Sequence, residues 1–558
     1  MSTERMSENT KDTTNEFMNA MVNAYVILIG VVLPLYMKNG FQMIGDAKYG
    51  FFLKVACIFC VISVVGVLWS ACAFVKGKWR QDNGKLLGAV SGRQYGRYGK
   101  ERKEIENRQW SVLDFFMISY ALHVVVSFCF SEYKETALFG YADWHMGLIT
   151  QLLLVWSYFF VSRFYSEEKL SWILMSLAAG GIFFIGVLNR YNYDPLGVFE
   201  EIGRWEWNRV NLLSTIGNIN WYSGYMCLTL PFVLYAFWNG KGLLRAAGGI
   251  GSLIGTFSLH MQGSMSGYAG LGGILVVLCF FSLRDANKWQ RFLQLAFMVT
   301  VVPVIIMGTL EAMPRGVYLP EAAILEWKGW IGCSLLISLL LIINGVINRH
   351  RRMALWENGS LQRIFGLSLV ILLLIFAVMV ILCQVSDTVW QLLGGRELLR
   401  IDNAWGNGRG FLWKTALHCF VQGGWKQRLI GAGPDCFAHI AYEIANFNEV
   451  YITGQWQGAV FANAHNEWLN MLVNGGIWGA VSYLGIYMCA IRRFSARTDR
   501  EPLMVMGIMM VVGYGIHNIF SFQQIITVPI VFAVMGMLEK CCRNNDKNND
   551  TSNNKMMI

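Results

Sequence analysis

The chain has 558 residues, of which 55% are apolar and only 15% are charged, and its mean hydropathy is +0.41. This composition argues against a set of soluble domains and is typical of an integral membrane protein. The formal net charge of +10 could suggest nucleic-acid binding. The basic residues lie mostly between the apolar runs, however, where membrane topology explains them, so no nucleic-acid partner is expected.

Apolar runs of about 17 to 25 residues recur along the chain, and an α-helix needs this length to cross the roughly 30 Å hydrocarbon layer. No strand-like alternation competes with them, and a helix satisfies its own backbone hydrogen bonds in lipid. The sequence therefore predicts an all-α fold, a polytopic transmembrane helical bundle of about fourteen helices. The predicted spans are 18–37, 50–75, 111–130, 146–164, 170–188, 221–238, 243–260, 267–283, 292–309, 328–347, 365–385, 467–490, 503–520 and 525–538.

Charge distribution predicts the orientation of these spans. With the N-terminus inside, roughly two thirds of the Lys and Arg residues fall on the inner side, while Asp and Glu divide evenly. We therefore expect a multi-pass protein of the cytoplasmic membrane with both termini in the cytoplasm. The inner loop 76–108 carries ten basic residues and is expected to contact anionic membrane lipids.

Five parts follow from this pattern. A polar cytoplasmic N-terminus, with no signal-peptide cleavage site behind it, precedes the first eleven helices, and a large extracytoplasmic loop precedes the C-terminal helices. Unstructured loops of this length are usually functional. The polar end of the chain is expected to be a disordered cytoplasmic tail. In order, the parts are 1–16, 17–385, 386–466, 467–540 and 541–558.

Cysteine and histidine spacing predicts neither a metal site nor a cofactor. Most of the thirteen cysteines lie in predicted helices, where they behave as small apolar residues. Cys419 and Cys436 lie in the large loop, and a disulfide between them stays open because spacing alone fixes no pairing. No zinc-ligand spacing and no phosphate-binding glycine loop occurs.

Polar motifs gather where the large loop enters the next helix. In FANAHNEWLN (461–470), Asn463 is the predicted N-cap, which would place His465 and Asn466 in the first turn. A helix N-terminus disfavours the imidazolium ion and burial acts in the same direction, so His465 should be neutral, as a general base must be. The plainer explanation is an interfacial histidine that bonds a loop carbonyl.

Two arginines are candidates for binding an anion. Arg409 stands among glycines in GNGRG, where the backbone can approach a ligand closely, and its planar fork suits phosphate oxygens. Arg209 precedes GNIN, whose Asn218 and Asn220 could orient sugar hydroxyls or simply cap the next helix. Nearby tryptophans, Trp413 among them, could stack on sugar rings or form an interfacial aromatic belt.

The order of Gly408, Arg409 and Trp413, then GAGPDCF (431–437), then AHNEWLNMLVNGGIWG (464–479) resembles the O-antigen ligase and polymerase family of bacterial membrane glycosyltransferases. Upstream, residues 209–232 are similar to the Arg, Gly-Asn-x-Asn and Pro pattern of that family. The family often has a Ser-Arg pair where this chain reads MQGSMSGYAG (261–270), and no arginine stands there.

The resemblance implies a GT-C-like glycosyltransferase architecture. It also implies transfer of a glycan from an undecaprenyl-pyrophosphate carrier to an acceptor sugar at the outer face of the membrane, with inversion, in cell-surface polysaccharide biosynthesis. His465 and Arg409 would be the catalytic residues, as base and as pyrophosphate ligand. The implied substrate-binding residues are Arg209, Asn218, Asn220, Asn466 and Trp413.

Other functions fit the same residues. A transporter or flippase would bind the same lipid-linked sugar but form no bond, and an inactive family member could serve as an assembly partner of other polysaccharide proteins. The missing arginine favours that last reading, whereas the concentration of polar groups in outer loops disfavours a transporter. Ligase and polymerase activity remain alternatives, since they differ only in the acceptor.

Overall fold

The computed structural model describes residues 2–85, 110–166, 169–200, 206–310, 312, 316–318, 327–350, 359–444 and 461–556. Most of loop 76–108, and with it the predicted lipid contact, lies outside these residues. A two-residue antiparallel β pair, Leu212–Leu213 (β1) with Gly217–Asn218 (β2), is the only strand pairing in the described part.

The other elements are helices, which we number in chain order. They are α1 Ser2–Ile27, α2 Leu33–Leu35, α3 Ile44–Lys85, α4 Val112–Phe130, α5 Lys134–Phe139, α6 Leu148–Phe164, α7 Lys169–Arg190, α8 Glu206–Asn211, α9 Ile219–Asn239, α10 Gly242–Gln262, α11 Met265–Ser282, α12 Ala286–Leu310, α13 Trp327–His350, α14 Ser360–Val385, α15 Asp387–Leu392, α16 Trp405–Gln422, α17 Trp425–Ile430, α18 Phe437–Ile444, α19 Glu467–Ser495, α20 Leu503–His517 and α21 Val528–Met556.

The predicted all-α polytopic bundle is confirmed. Each predicted span overlaps a helix, and ten helices of the described residues are long and apolar enough to cross a membrane. Two shorter apolar helices, α6 and α20, pack among them. Helices are the expected solution because a lipid-exposed backbone must satisfy its hydrogen bonds internally.

Helix α19, which follows the large loop, packs one face into the bundle and leaves apolar side chains exposed on the other. It packs against α4 and α20, and α20 in turn packs against α9 and α11. Tyr120, Tyr483 and Tyr514 are among the largest fully buried side chains around it. By contrast, α14 exposes almost its whole apolar surface, as expected of a helix that faces lipid. Helix α14 leads directly into the large loop, so the loop connects a peripheral helix to one that packs against the bundle.

Three consecutive residues with left-handed backbone conformation shape the large loop near Arg409. Gly406, Asn407 and Gly408 have φ values of 60°, 59° and 84° and interrupt the start of α16. Glycine tolerates this conformation without steric cost. The helical part of α16 therefore begins at the candidate arginine. Its buried face includes Leu412 and Cys419, while Leu417 and Val421 are exposed.

A cluster of buried ion pairs joins the helix ends on the opposite side of the bundle. Asp114 contacts Arg163 and Arg543, and Glu539 contacts Arg493 and Arg543. Both carboxylates are fully buried. The cluster connects α4, α6, α19 and α21.

The end of the chain differs from the disordered tail that its composition predicts. Helix α21 continues through the polar residues to Met556, and Asp546 accepts a hydrogen bond of 2.7 Å from Arg497 Nη2. This long-range ion pair gives the helix a partner just beyond the end of α19. Composition alone could not reveal that partner, because it lies 49 residues away in sequence.

Candidate active site

His465 lies in a tight turn immediately before α19. Its φ is +46°, its backbone N–H donates to Asn463 Oδ1 at 3.0 Å, and its ring meets Phe522 edge-on with 5.1 Å between centroids. Helix α19 begins at Glu467, and Asn466 is its N-cap, with Oδ1 accepting from Leu469 N at 3.2 Å.

The prediction that Asn463 caps the helix was therefore wrong by three residues. A left-handed residue cannot belong to the first turn of a right-handed helix. Asn463 instead closes a side-chain turn onto His465, a common use of asparagine in loops. The candidate histidine therefore lies in a strained turn. Asn466 does not belong to that turn's side-chain contacts but caps α19, by accepting a hydrogen bond from the Leu469 N–H.

Arg409 reaches the same region from α16. Its Nε donates to the carbonyl of Phe520 at 3.0 Å and its Nη1 to that of Gly406 at 2.8 Å. Burial, and then the positive charge of Arg409, lower the pKa of His465 to about 3. The imidazole is consequently neutral at physiological pH, which is the state a general base requires.

The connection between α20 and α21 assembles the site. Within residues 518–524, the carbonyl of Phe520 binds Arg409, the ring of Phe522 contacts His465, and the N–H of Gln523 donates to Glu467 Oε2 at 2.8 Å. The sequence analysis missed this segment as part of the site. Residues 518–524 contain no ionisable side chain that would have marked them in the sequence.

Aromatic rings form a wall beside the histidine, in two groups. Trp144 meets Phe522 at 4.9 Å and Trp221 at 5.5 Å between centroids. On the other side, Trp413 lies 5.1 Å from Trp405 and 6.2 Å from Phe520. Such rings can stack on sugar faces or pack on one another. The predicted Trp413 therefore lies at the site, and Trp144 joins it without having been predicted.

The second predicted group occupies a neighbouring position without touching His465. Arg209 donates to Asn192 Oδ1 at 2.9 Å and stacks over the ring of Phe199 at 4.7 Å. Asn218 caps α9, accepting from Asn220 N at 2.8 Å, which is the plainer of its two predicted roles. The link to His465 runs through the rings of Trp221, Trp144 and Phe522.

Residues 261–270 lack the arginine that the family often has in this segment, but Arg190 binds its first two residues. The buried guanidinium of Arg190 donates to the carbonyls of Met261, Gln262 and Arg209 at 2.8, 2.9 and 2.7 Å. Asn220 Oδ1 accepts from Ser264 Oγ at 2.7 Å. Arg190 thus joins the Arg209 segment to residues 261–270, a role that its sequence position did not suggest.

Buried acidic and sulphur-containing side chains also lie near the site. Asp435 Oδ2 accepts from the N–H groups of Tyr141 and Met146 at 2.7 and 3.1 Å, and burial raises the pKa of Asp435 to about 6. Cys419 and Cys436 are buried free thiols. Across the described ranges, no group of three or more His, Cys, Asp and Glu side chains could hold a metal ion.

These observations define a class of protein: a multi-pass membrane protein in which a long loop brings an arginine and a neutral histidine together as it enters the bundle. Residues 328–484 match the family model of the O-antigen ligases, which confirms the resemblance to the O-antigen ligase and polymerase family and supports a glycan-transferring membrane enzyme. The match includes Arg409, Trp413, His465 and Asn466, whereas Arg209, Asn218 and Asn220 lie before it. Comparison with curated proteins gave no significant match.

Proposed function

We propose that the protein transfers a glycan from an undecaprenyl-pyrophosphate carrier to a hydroxyl of an acceptor sugar. The observation that carries this proposal is the convergence of His465 and Arg409 on residues 518–524. Both residues lie within the segment that matches the O-antigen ligase family. The reaction serves cell-surface polysaccharide synthesis as either ligation or polymerisation, according to the acceptor.

The chemistry is a direct displacement. The neutral imidazole of His465 takes the proton of the acceptor hydroxyl while that oxygen attacks the anomeric carbon, and the bond from this carbon to the pyrophosphate breaks. One displacement inverts the anomeric configuration. Arg409 stabilises the negative charge that develops on the leaving pyrophosphate, and its guanidinium is already oriented by two backbone carbonyls.

The remaining predicted residues bind or position the substrates. Asn466 fixes the turn of His465 by capping α19, and Trp413 offers an aromatic face next to Arg409 for a sugar ring. Arg209, Asn218 and Asn220, with Arg190 behind them, form a second polar group for the donor, connected to the first by the aromatic wall. The route uses the residues of the chain alone.

The site faces outward from the cytoplasmic membrane, and both termini are cytoplasmic. The excess of basic residues in the segments on the other side supports this orientation. A lipid pyrophosphate and a water-borne hydroxyl can meet at the headgroup level, where the large loop enters the bundle. Anionic lipids would contact the basic inner loop.

Purified full-length protein in liposomes tests the proposal directly. We expect a new glycosidic bond when lipid-linked glycan and a sugar acceptor are both supplied. Translocation of the lipid-linked glycan without a new bond would instead show a flippase. Neither transfer nor translocation, with the substrate still bound, would indicate an inactive assembly partner.

A further inference from the structure

A small polar cavity lies next to the turn of His465. Its volume is about 30 Å³, enough for one or two particles of the size of a water molecule. Asn463, whose side chain holds the His465 N–H, and Phe522, whose ring contacts His465, both line it. The cavity is therefore adjacent to the proposed catalytic group and too small for a sugar.

Two carboxylates of the cavity wall are buried, and the basic groups near them include the imidazoles of His123, which lines the cavity, and of His145, which acts electrostatically on Asp435. Asp435 is 6% exposed and Glu467 is 1% exposed, and no Lys or Arg lines the cavity. Backbone N–H groups bind Asp435 Oδ2 and Glu467 Oε2. Buried carboxylates are normally paired with a cation or protonated, because an isolated charge in this environment is costly.

Two amide oxygens at the same cavity have no hydrogen-bond partner among the described residues. They are Oδ1 of Asn470 and Oδ1 of Asn474, and both residues are more than nine-tenths buried. Buried polar atoms in folded proteins almost always have a partner. Unpartnered acceptors that line a cavity with two carboxylates call for a positive or hydrogen-donating particle inside it.

We propose that the cavity binds a small hard cation through the oxygens of Asp435, Glu467, Asn470 and Asn474. Carboxylate and amide oxygens are the ligands that hard cations prefer, whereas zinc and copper favour nitrogen and sulphur. The side-chain Nε2 of Gln523 also lacks a partner and binds a water that completes the coordination. The cation orders Asn463 and the first residue of α19, and so holds the turn of His465.

Thermal unfolding of the full-length protein in detergent measures this binding without any transfer assay. After treatment with a chelator, the protein is unfolded at pH 8 in choline chloride, then with sodium, potassium, magnesium or calcium chloride at equal ionic strength. We expect a saturable rise of roughly 2 to 5 °C with one cation, since a ligand that binds only the folded state stabilises it.

Three variants locate the site. Asp435→Asn keeps an oxygen that can accept from the Tyr141 and Met146 N–H groups, and Asn474→Leu removes an unpartnered oxygen at similar volume; both should abolish the rise. Glu397→Gln removes an exposed carboxylate of the same loop and should keep it. If Asp435→Asn does not fold, Asn474→Leu decides. Equal unfolding temperatures in all five salts, or an unchanged rise in both cavity variants, would overturn the proposal. Protonated carboxyl groups or a bound water molecule would then be the partners of the unpartnered oxygens.

Discussion

His465 is held in its neutral form by its surroundings rather than by its position in a helix. Neutrality was predicted from two causes, a helix N-terminus and burial. The residue lies before the helix in a left-handed conformation, so the first cause does not apply. Burial does, and together with the charge of Arg409 it lowers the pKa of His465 to about 3.

The electrostatic effect of Arg409 on His465 predicts that Arg409→Gln changes the pH dependence of glycan transfer. A base must be unprotonated, so transfer by the wild type should fall only as the pH drops through about 3. Loss of the positive charge makes the imidazolium less costly, so its pKa rises and the acid limb moves to higher pH. Transfer rates from about pH 2 to pH 7, a range that includes the wild-type limb, measure the change.

The rate of Arg409→Gln should also fall at every pH, because the leaving pyrophosphate loses a ligand. Arg396→Gln, which removes an exposed arginine of the same loop, should leave the limb where it is in the wild type. An acid limb at the same pH in Arg409→Gln and Arg396→Gln would show that Arg409 does not act on His465.

At the scale of the elements, the large loop is locked onto α19 by close backbone contacts. Gly431 has φ +81°, and a Cβ at this position would lie 2.0 Å from the carbonyl oxygen of Asn474. The N–H of Gly433 also donates to that oxygen at 3.1 Å. The loop thus contacts α19 at a position where only glycine fits.

Gly431→Ala is therefore expected to destabilise the protein by about 1 to 3 kcal/mol, through backbone strain and displacement of the loop from α19. Gly424→Ala is the matched control in the same loop, since a Cβ at that position would have no atom within 4 Å and its φ is negative. Unfolding temperatures of both variants decide the point. Equal temperatures for the two would mean that the contact does not hold the loop.

The elements show which features a sequence can reveal. Hydrophobic length is a local property, so every predicted span overlaps a helix, although ten helices of the described residues, and not fourteen, are long and apolar enough to cross a membrane. The proximity of residues 518–524 to Arg409 was missed because it joins positions more than a hundred residues apart. The left-handed turn at His465 was missed too, because Asn463 and Asn466 are equally good caps by residue type.

At the scale of the whole molecule, the two ends of the bundle have different chemistry. The end with the large loop carries aromatic rings, amides and the proposed catalytic pair. The opposite end is fastened by the buried ion pairs of Asp114 and Glu539. This division lets one end bind substrates while the other keeps the helices together.

Removal of one partner from these buried ion pairs should lower the stability of the protein considerably. Glu539→Gln removes the fully buried carboxylate that Arg493 and Arg543 share, and is expected to destabilise the protein by about 3 to 5 kcal/mol. Asp499→Asn removes an exposed partner of Arg284 and should cost under about 1 kcal/mol. Thermal unfolding in detergent compares the two. A smaller loss of stability for Glu539→Gln than for Asp499→Asn would contradict the stabilising role of the buried ion pairs.

The central claim is that His465 is the base of a glycan transfer, and one paired measurement in liposomes tests it. His465→Ala is compared with His418→Ala, which removes an exposed histidine of α16, at equal amounts of folded protein. We predict that His465→Ala loses roughly two to four orders of magnitude in transfer, about 3 to 5 kcal/mol of barrier, and that His418→Ala transfers like the wild type. Equal transfer by the two variants would contradict the claim.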